Sequence, residues 1–477
     1  MKRFFLTLLL FPFLAFSQTH IHRSIQNNTS AIWTSGGTIT FTITGDTIAT
    51  FSSDAPDSIG RGVAIEYDST GSSSVKAICF IKYRISKRQF GVQRFQGGNP
   101  APASATTTWN AFHAYTTWEK LHNGDENDGI NNTVEDFDKH TDGVNIDARS
   151  EYWHVAMYAG AHDLTGTQGG DDMDTSPTEM LEIYAPCGTK FVGTSQRHSG
   201  KLTYRGPVFT VTTGDGWRSA DDAGGRVCQD VIFDGVQWDF NDVDSQIALV
   251  IHAQQASLVQ NFTIRNCIFH GSDSTAISTS SHAAIVWSGG TSSNGGKVSV
   301  VGSLFYGWKS AVTTTNEGAI LFTSVNIADT LVVHSCTLDR NQDGIKRTNA
   351  GNILRVVNTI VTRSNDGFNG GITGSFNVSD ISSDCAGCTD MITGTPSFTD
   401  RPNKDFSLQS GDTVAKNAGT QNAAFGLVAP TRDLKGYSRP VSTNDVGAFE
   451  QGATASGCST EVDAPTRRRG GKVIFIN

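Results

Sequence analysis

The chain has 477 residues and a formal net charge of −9 at pH 7, and it is too long for one compact hydrophobic core. Its 50 glycines and 17% charged residues indicate a turn-rich β structure rather than a helical one. The acidic balance argues against nucleic-acid binding, which needs a basic surface.

Residues 1–17 have the pattern of a secretion signal. Two basic residues precede an apolar run from Phe4 to Phe16, and small residues stand before a cut ahead of Gln18. No later stretch approaches about 20 apolar residues, so we expect no transmembrane segment after signal cleavage. The pattern predicts an exported protein, located in the medium, at the cell surface or in the periplasm.

Residues 18–102 alternate apolar and polar side chains around Gly-containing turns, which predicts a small β domain. We interpret this domain as an end cap for the region that follows, or as an attachment module. Residues 103–122 are predicted to be a Pro-, Ala- and Thr-rich linker and a capping helix. The helix is expected between Ala111 and His122, where apolar residues recur at helical spacing.

Acidic residues are concentrated in two stretches, residues 123–147 and the cluster of Asp171, Asp172 and Asp174. Carboxylate oxygens are ligands that Ca²⁺ prefers, so this cluster is a candidate calcium site. The spacing does not match the twelve-residue calcium loop, and solvated loops are the alternative interpretation.

Five segments in the middle of the chain repeat one pattern. Each has apolar residues at its first, third and eighth positions and Gly, Asn or Ser at its fifth. The segments begin at Val231, Phe262, Val298, Leu331 and Leu354. The period of two predicts a strand with one buried face, and the fifth residue predicts a corner. A strand, a corner and a second strand, repeated, form the coils of a solenoid that buries its apolar columns by stacking.

This repeat resembles the right-handed parallel β-helix of the pectin-lyase-like proteins. The predicted fold is therefore all-β, with a parallel β-helix solenoid over residues 123–400, a small β domain before it and capping segments at its ends. The resemblance implies a fold and no particular activity, because unrelated functions share this fold.

Residues 401–451 resemble the end of the choice-of-anchor β-helix proteins of secreted bacterial chains. The resemblance rests on Asp433-Leu-Lys-Gly436, Arg439-Pro440 and Asp445-Val-Gly-Ala-Phe-Glu450. It implies a cap over the carboxy-terminal end of the solenoid, with structural roles for Arg439 and Asp445 such as an ion pair. Residues 452–477 are predicted to be a flexible tail.

The cysteines allow few pairs within the repeat. Cys267 and Cys336 share a column with one coil between them, and two strand spacings of about 4.8 Å exceed the reach of a disulfide. We expect both to be buried thiols. Cys385 and Cys388 are predicted to be a local loop staple or two free thiols.

An outward column of the repeat is the predicted place for chemistry. Eight residues after each segment start stand polar or aromatic side chains, namely Asp239, His270, Tyr306, Asp339 and Thr362. We expect sugar rings to lie along this row, with substrate-binding roles for Asp239, His270, Tyr306, Trp308 and Asp339. The weaker catalytic candidates come from the row and the adjoining loops, and they are Asp339, Arg340, Asp343, Lys346 and Arg347.

The favoured function is a non-catalytic exported β-helix protein that binds a polysaccharide or cell-surface glycan, or serves as an adhesive element. The alternative is an enzyme acting on acidic polysaccharide. A lyase needs a cation for the uronate carboxylate and a base for the C5 proton, whereas a hydrolase needs two carboxylates about 5–9.5 Å apart. A phage tail spike shares the fold, but the export signal argues against that function.

Overall fold

The computed structural model describes residues 18–453 with internal gaps. The gaps are residues 35, 139–145, 147–148, 166–167, 170–172, 174, 177–178, 204, 220–227, 241–246, 254–258, 274–281, 290–294, 310–316, 421–429 and 441–442. The predicted secretion signal and the calcium candidates Asp171, Asp172 and Asp174 lie outside the described residues, as does the tail beyond residue 453.

Three parallel sheets form an all-β parallel β-helix, as the sequence predicts. The first sheet has ten strands, at Thr19–Ile25, Glu151–Met157, Leu181–Tyr184, Asp230–Asp234, Asn261–Arg265, Lys297–Val301, Thr330–His334, Ile353–Val357, Thr373–Ser375 and Cys388–Thr389. The second has nine, at Gly160–Thr165, Pro207–Thr213, Gln237–Asp239, Ile268–His270, Leu304–Tyr306, Thr337–Asp339, Ile360–Thr362, Val378–Ser379 and Ile392–Thr393. The third has seven, at Gln168–Gly169, Trp217–Arg218, Ile247–Ala253, His282–Gly289, Glu317–Phe322, Asp343–Arg347 and Asp366–Asn369.

The strand register reproduces the predicted columns. In the first sheet one buried file contains Val231, Phe262, Val298, Leu331 and Leu354. In the second sheet the matching inner file contains Trp238, Phe269, Phe305, Leu338 and Val361. The Phe269 and Phe305 rings stack with centroids 4.7 Å apart. Each such buried side chain contributes roughly 1.5–3 kcal/mol of transfer free energy, which only stacked coils can supply.

The corner between the first and second sheets has a left-handed backbone in five consecutive coils. The φ angles there are 72° at Gly235, 54° at Asn266, 59° at Gly302, 53° at Ser335 and 51° at Asn358. Gly adopts this region without strain, and Asn does so more readily than most other residues. The corner that the sequence predicts at the fifth position is therefore confirmed.

A seven-stranded antiparallel sheet forms the N-terminal domain, with strands at Trp33–Thr34, Trp109–Phe112, Ala64–Tyr67, Ala77–Arg84, Gln89–Gln93, Asp46–Phe51 and Ile39–Thr44. The division predicted at residue 102 differs from the observed one in two places. The strand Thr19–Ile25 belongs to the first sheet of the β-helix, where it pairs with Glu151–Met157. The strand Trp109–Phe112 completes the antiparallel sheet by pairing with Ala64–Tyr67.

The capping helix is shorter than the spacing between Ala111 and His122 predicts. It spans Trp118–Asn123, and its N-cap Thr117 accepts a hydrogen bond from the Lys120 amide. The preceding residues pair as a strand because their alternate side chains complete the N-terminal sheet. Trp118 and Leu121 carry the apolar face of the helix and are fully buried.

The described residues between 398 and 453, which we call the strap, lie along the outer face of the second sheet. A hairpin of Phe398–Asp400 and Asp405–Leu408 begins it, with a 3₁₀ turn at Arg401–Asn403 between the strands. Its apolar side chains bury the outward residues Ile268, Leu304, Tyr306, Ile360 and Val378. The sequence predicts a cap over the end of the solenoid, whereas the structure shows a cover along its side.

Hydrogen bonds attach the strap to particular coils. The Ala448 amide donates to the Thr337 hydroxyl at 2.9 Å. The side chain of the corner residue Asn358 donates to the Thr420 carbonyl at 2.7 Å and accepts from the Thr420 amide at 2.9 Å. Arg439 is structural, as expected, but its ionic partner is Glu450 at 3.2 Å, and it reaches Asp445 only through the backbone carbonyl.

Cys267 and Cys336 are buried free thiols, as their shared column predicts. Of the two alternatives for Cys385 and Cys388, the structure shows the local disulfide. The described helix is too short and too polar to cross a membrane.

Candidate functional site

The predicted outward row forms one continuous file in the second sheet. Asp239, His270, Tyr306, Asp339 and Thr362 are neighbours in successive strands. The row is not an open groove, because the side chains of His270, Tyr306 and Asp339 are at most 4% exposed. Phe406 of the strap packs on the Tyr306 ring with centroids 5.3 Å apart.

Arg340, which follows Asp339, lies beside the row and donates to the Ser272 carbonyl at 2.7 Å. The other predicted site residues do not join the row. Trp308 lies in the core with no exposed surface and donates from Nε1 to the Phe269 carbonyl, because the left-handed corner at Gly307 turns the chain inward. Asp343 and Lys346 form an ion pair at 2.7 Å on the third sheet. Arg347, on the same strand, donates to the carbonyls of Gly370, Gly371 and Asn352. The structure thus separates Asp343, Lys346 and Arg347 from Asp339 by a corner of the coil.

An open cleft of about 550 Å³ lies between the N-terminal domain and the first two strands of the first sheet. We call it the histidine cleft. Its lining consists of Gln18, Thr19, His20, His22, Arg61, Lys82, Gln93, Gly97, Gly98, Tyr152 and His154. This volume lies in the range of small-molecule and sugar sites. Two cations and three histidines line it, and none of its described lining residues is acidic.

Two paired strands position the histidines. Alternation in Thr19–Ile25 places His20 and His22 on the outward face, and their register partners are Tyr152 and His154. The rings stack across the pair, with 4.7 Å between the centroids of His22 and His154 and 4.3 Å between those of Tyr152 and His154. The rings stack instead of converging, and no group of metal-ligating side chains in the described part of the chain is placed to hold a metal ion.

A hydrogen-bonded chain connects Glu182, His154 and His20. Nδ1 of His154 lies 2.6 Å from Oε2 of Glu182, and its Nε2 lies 2.9 Å from Nδ1 of His20. Burial alone would raise the pKa of Glu182, but the hydrogen bond from His154 and the charge of Arg265 lower it. An ionised carboxylate can only accept, so His154 donates from Nδ1 and accepts at Nε2 from His20. Nε2 of His20 is then left as an acceptor.

The electrostatics of the cleft keep its histidines neutral at pH 7. Burial, followed by electrostatic interactions with His154, Arg61 and Lys82, lowers the pKa of His20 to about 4, and the charge of Glu182 opposes this shift. Burial is also the main cause of the lowered pKa of His22 and His154. Arg61 and Lys82 bring positive charge to the lining of the cleft, and an anionic ligand would offset it.

Arg61 is held at the wall of the cleft without an acidic partner in the described part of the chain. Its guanidinium lies over the Phe191 ring at 4.0 Å, and Nε donates to the Lys82 carbonyl at 2.7 Å. Lys82 differs, because its ammonium is paired with Asp46 at 2.9 Å. Arg61 is therefore the cation most available to an anion in the cleft.

Comparisons with known proteins give little beyond this geometry. No protein-family model matches the chain, and no curated protein matches it. Among solved structures, the catalytic domain of a GH87 alpha-1,3-glucanase in complex with nigerose is similar at 9% sequence identity, covering 80% of this chain and 96% of that chain with a TM-score of 0.18. The fold assignment rests on the strand pairing of this chain itself.

The sequence interpretation did not identify the histidine cleft, although one signal of it is present. His20 and His22 alternate with Ile21 in Thr19–Ile25, which is the period of a strand. Arg23 lies between Ile21 and Ile25 on the inward face. A charged residue at that position interrupts the apolar alternation that would identify the strand. Asp138 neutralises Arg23 inside the core, and the Phe80 ring lies 3.9 Å from the guanidinium.

Proposed function

We propose that this protein binds an acidic polysaccharide in the histidine cleft, as an exported, non-catalytic β-helix protein of the secreted or cell-surface class. The observation that carries the proposal is the position of Arg61 at the wall of an open cleft, with no described acidic partner. The chain as a whole is acidic at −9, so a local positive potential selects anionic ligands over neutral ones.

The neighbouring groups support binding of a sugar acid. Neutral histidine nitrogens and the Gln93 side chain can hydrogen-bond hydroxyl groups, while Arg61 can hold a carboxylate with two N–H donors. The secretion-signal pattern of residues 1–17 supports an extracellular glycan as the partner.

The test is calorimetric titration with oligogalacturonate, alginate oligosaccharide and neutral dextran oligosaccharide. We expect binding of the two acidic ligands only, and a loss of about tenfold or more in affinity for Arg61→Gln, because a charge-assisted hydrogen bond contributes about 1.5–3 kcal/mol. Lys297→Gln is the matched control, since Lys297 is exposed on the first sheet and away from the cleft. Equal affinity for dextran, or unchanged affinity in Arg61→Gln, would contradict the proposal.

A second candidate function is β-elimination in the same cleft, and the chain of Glu182, His154 and His20 is the observation that favours it. Nε2 of His20 would take the C5 proton of a uronate whose carboxylate is held by Arg61. The C4–O bond would break, a C4–C5 double bond would form, and the leaving oxygen would take a proton from water. Paired-carboxylate hydrolysis has no support here, because the described lining contains no acidic side chain.

Ultraviolet absorbance of the unsaturated product separates the two functions. An increase that His20→Ala abolishes, while oligogalacturonate binding is retained, would establish elimination. Binding without any increase would establish the non-catalytic function.

A further inference from the structure

A small cavity remains between the strap hairpin and the outward row of the second sheet. We call it the strap pocket, and its volume is about 130 Å³. Its lining consists of Tyr306, Asp339, Arg340, Arg363, Arg401, Pro402, Lys404 and Phe406. A water molecule occupies about 30 Å³ in the liquid, so one small polyatomic group with a bridging water fits.

Positive charge exceeds negative charge in the lining, because four cations face the single carboxylate of Asp339. That carboxylate accepts from Arg363 through two nitrogens and from the Thr362 hydroxyl at 2.8 Å. Arg401 approaches it only to 3.7 Å. Asp339 is therefore already engaged by its neighbours, and it leaves part of the positive charge uncompensated.

Arg340 and Lys404 share one carboxylate at the rim. Asp273 lies 3.5 Å from the Arg340 guanidinium and also contacts the Lys404 ammonium and, at 3.3 Å, the His270 ring. The Asp273 side chain is 52% exposed, so solvent weakens its compensation of these charges.

The strongest sign of a missing partner is at Arg401. Its Nε and one terminal nitrogen are buried and make no hydrogen bond in the described part of the chain. The guanidinium is held in place by the Phe398 ring, 4.6 Å away. Buried N–H groups of a guanidinium are costly to leave without acceptors. Burial lowers the pKa of Arg401, the charge of Asp339 opposes this shift, and the charge of Arg363 adds to it.

We propose that the strap pocket binds the oxyanion group of a small sugar acid, either a carboxylate or a sulfate ester. The oxygens of the anion accept from Arg401 and Arg363, and Arg340 and Lys404 supply further positive charge from the rim. The sugar ring stays outside, because only the charged group fits the cavity. This site is separate from the histidine cleft, and it links the strap to the second sheet.

The experiment is calorimetric titration at fixed ionic strength with sodium galacturonate, galactose 6-sulfate and galactose. We expect both anions to bind and galactose not to bind, and Arg401→Gln to weaken the anions by tenfold or more. Lys404→Gln is a second variant in case Arg401→Gln does not fold, and Lys297→Gln is the control with unchanged affinity. The relative affinity of the two anions distinguishes a carboxylate ligand from a sulfate ester.

Location of the ligand is measured by hydrogen exchange. Either anion should slow exchange of amides in residues 398–408 of the wild-type protein, and Arg61→Gln in the histidine cleft should leave this protection intact. Absence of anion binding to the folded wild-type protein would overturn the proposal. Binding that persists undiminished in folded Arg401→Gln and Lys404→Gln would overturn it as well. The histidine cleft is tested separately, with oligogalacturonate and Arg61→Gln.

Discussion

The outer faces of the first and second sheets begin from the same pattern and differ in what covers them. Both present polar and aromatic side chains outward from successive coils. On the first sheet an open cleft remains, where His20 is exposed and His22 and His154 are buried in the lining. On the second sheet the strap covers Tyr306, and the neighbouring His270 is buried as well. The comparison shows that coil geometry decides which side chains face outward. Segments outside the repeat decide which of those side chains meet solvent.

The largest expected effect is a loss of stability in acid. It should be concentrated in the N-terminal half of the chain. Burial lowers the pKa of His113 to about 3 and of His162 to about 4, and both are fully enclosed near the base of the N-terminal domain. Between pH 6.5 and 4 the unfolded chain therefore binds more protons than the folded chain, and the free energy of unfolding falls as the pH falls. The loss is roughly 3 kcal/mol at pH 4 for each of these histidines.

Hydrogen exchange at pH 7 and pH 4.5 measures this effect by region. We expect amides near residues 109–165 to lose protection before those of residues 373–408, a stretch that contains no histidine. Uniform loss along the solenoid would show that these histidines do not control the acid response.

Asp138→Ala should produce the next largest effect. It removes the partner of Arg23, a fully buried cation on the strand that carries His20 and His22, and the hydrogen bond from the Tyr115 hydroxyl at 2.7 Å. Breaking one side of a buried ion pair costs about 3–5 kcal/mol. Urea unfolding should show this loss, and oligogalacturonate affinity should fall because the strand Thr19–Ile25 loses its anchor. Asp54→Ala is the control, since Asp54 pairs with Arg88 on the surface. A loss under 1 kcal/mol would mean that Arg23 is solvated.

Phe406→Ala tests the outer face of the second sheet, which the strap covers. The ring is 2% exposed and packs on Tyr306 and Phe398, so its removal should cost about 3 kcal/mol. Exchange at the strand Leu304–Tyr306 should increase while oligogalacturonate binding in the cleft stays unchanged. Ile327→Ala, at a side chain 68% exposed, should change neither quantity. An altered cleft affinity in Phe406→Ala would show that the two faces are coupled.

The smallest effect is a titration shift in the cleft itself. The pKa of His20, measured by NMR, should rise from about 4 when oligogalacturonate binds, because the ligand offsets the charges of Arg61 and Lys82. His113 does not line the cleft, so its pKa should stay the same. A fall in the pKa of His20 would mean that the ligand carboxylates lie elsewhere.

The sequence predicts the fold well because the repeat is local and periodic. The column of Val231, Phe262 and Val298 and the corner at Asn266 follow from side-chain type and spacing alone, and the register agrees with them. The burial of the candidate row could not be predicted from local periodicity. The cover over Tyr306 comes from Phe406, which is far along the chain, and no periodicity relates the two.

Two further differences between the sequence prediction and the structure also depend on residues that the periodic pattern does not describe. The sequence predicts Trp308 beside the row, but one left-handed residue, Gly307, directs it into the core. The sequence pattern also does not separate the strand Thr19–Ile25 from the N-terminal domain, because Arg23 occupies an inward position. A buried charge is compatible with a strand only when its partner is known, and Asp138 is over a hundred residues away.

The attachment of the strap to Thr337 and Asn358 has a consequence for how this protein can change over evolution. Solenoids usually gain or lose whole repeats with little penalty, since each repeat contacts only its neighbours. Here an inserted or deleted repeat between residues 337 and 358 would displace one anchor by about 4.8 Å relative to the other. The strap then could not hydrogen-bond to Thr337 and Asn358 together. It therefore fixes the number of coils in this part of the molecule.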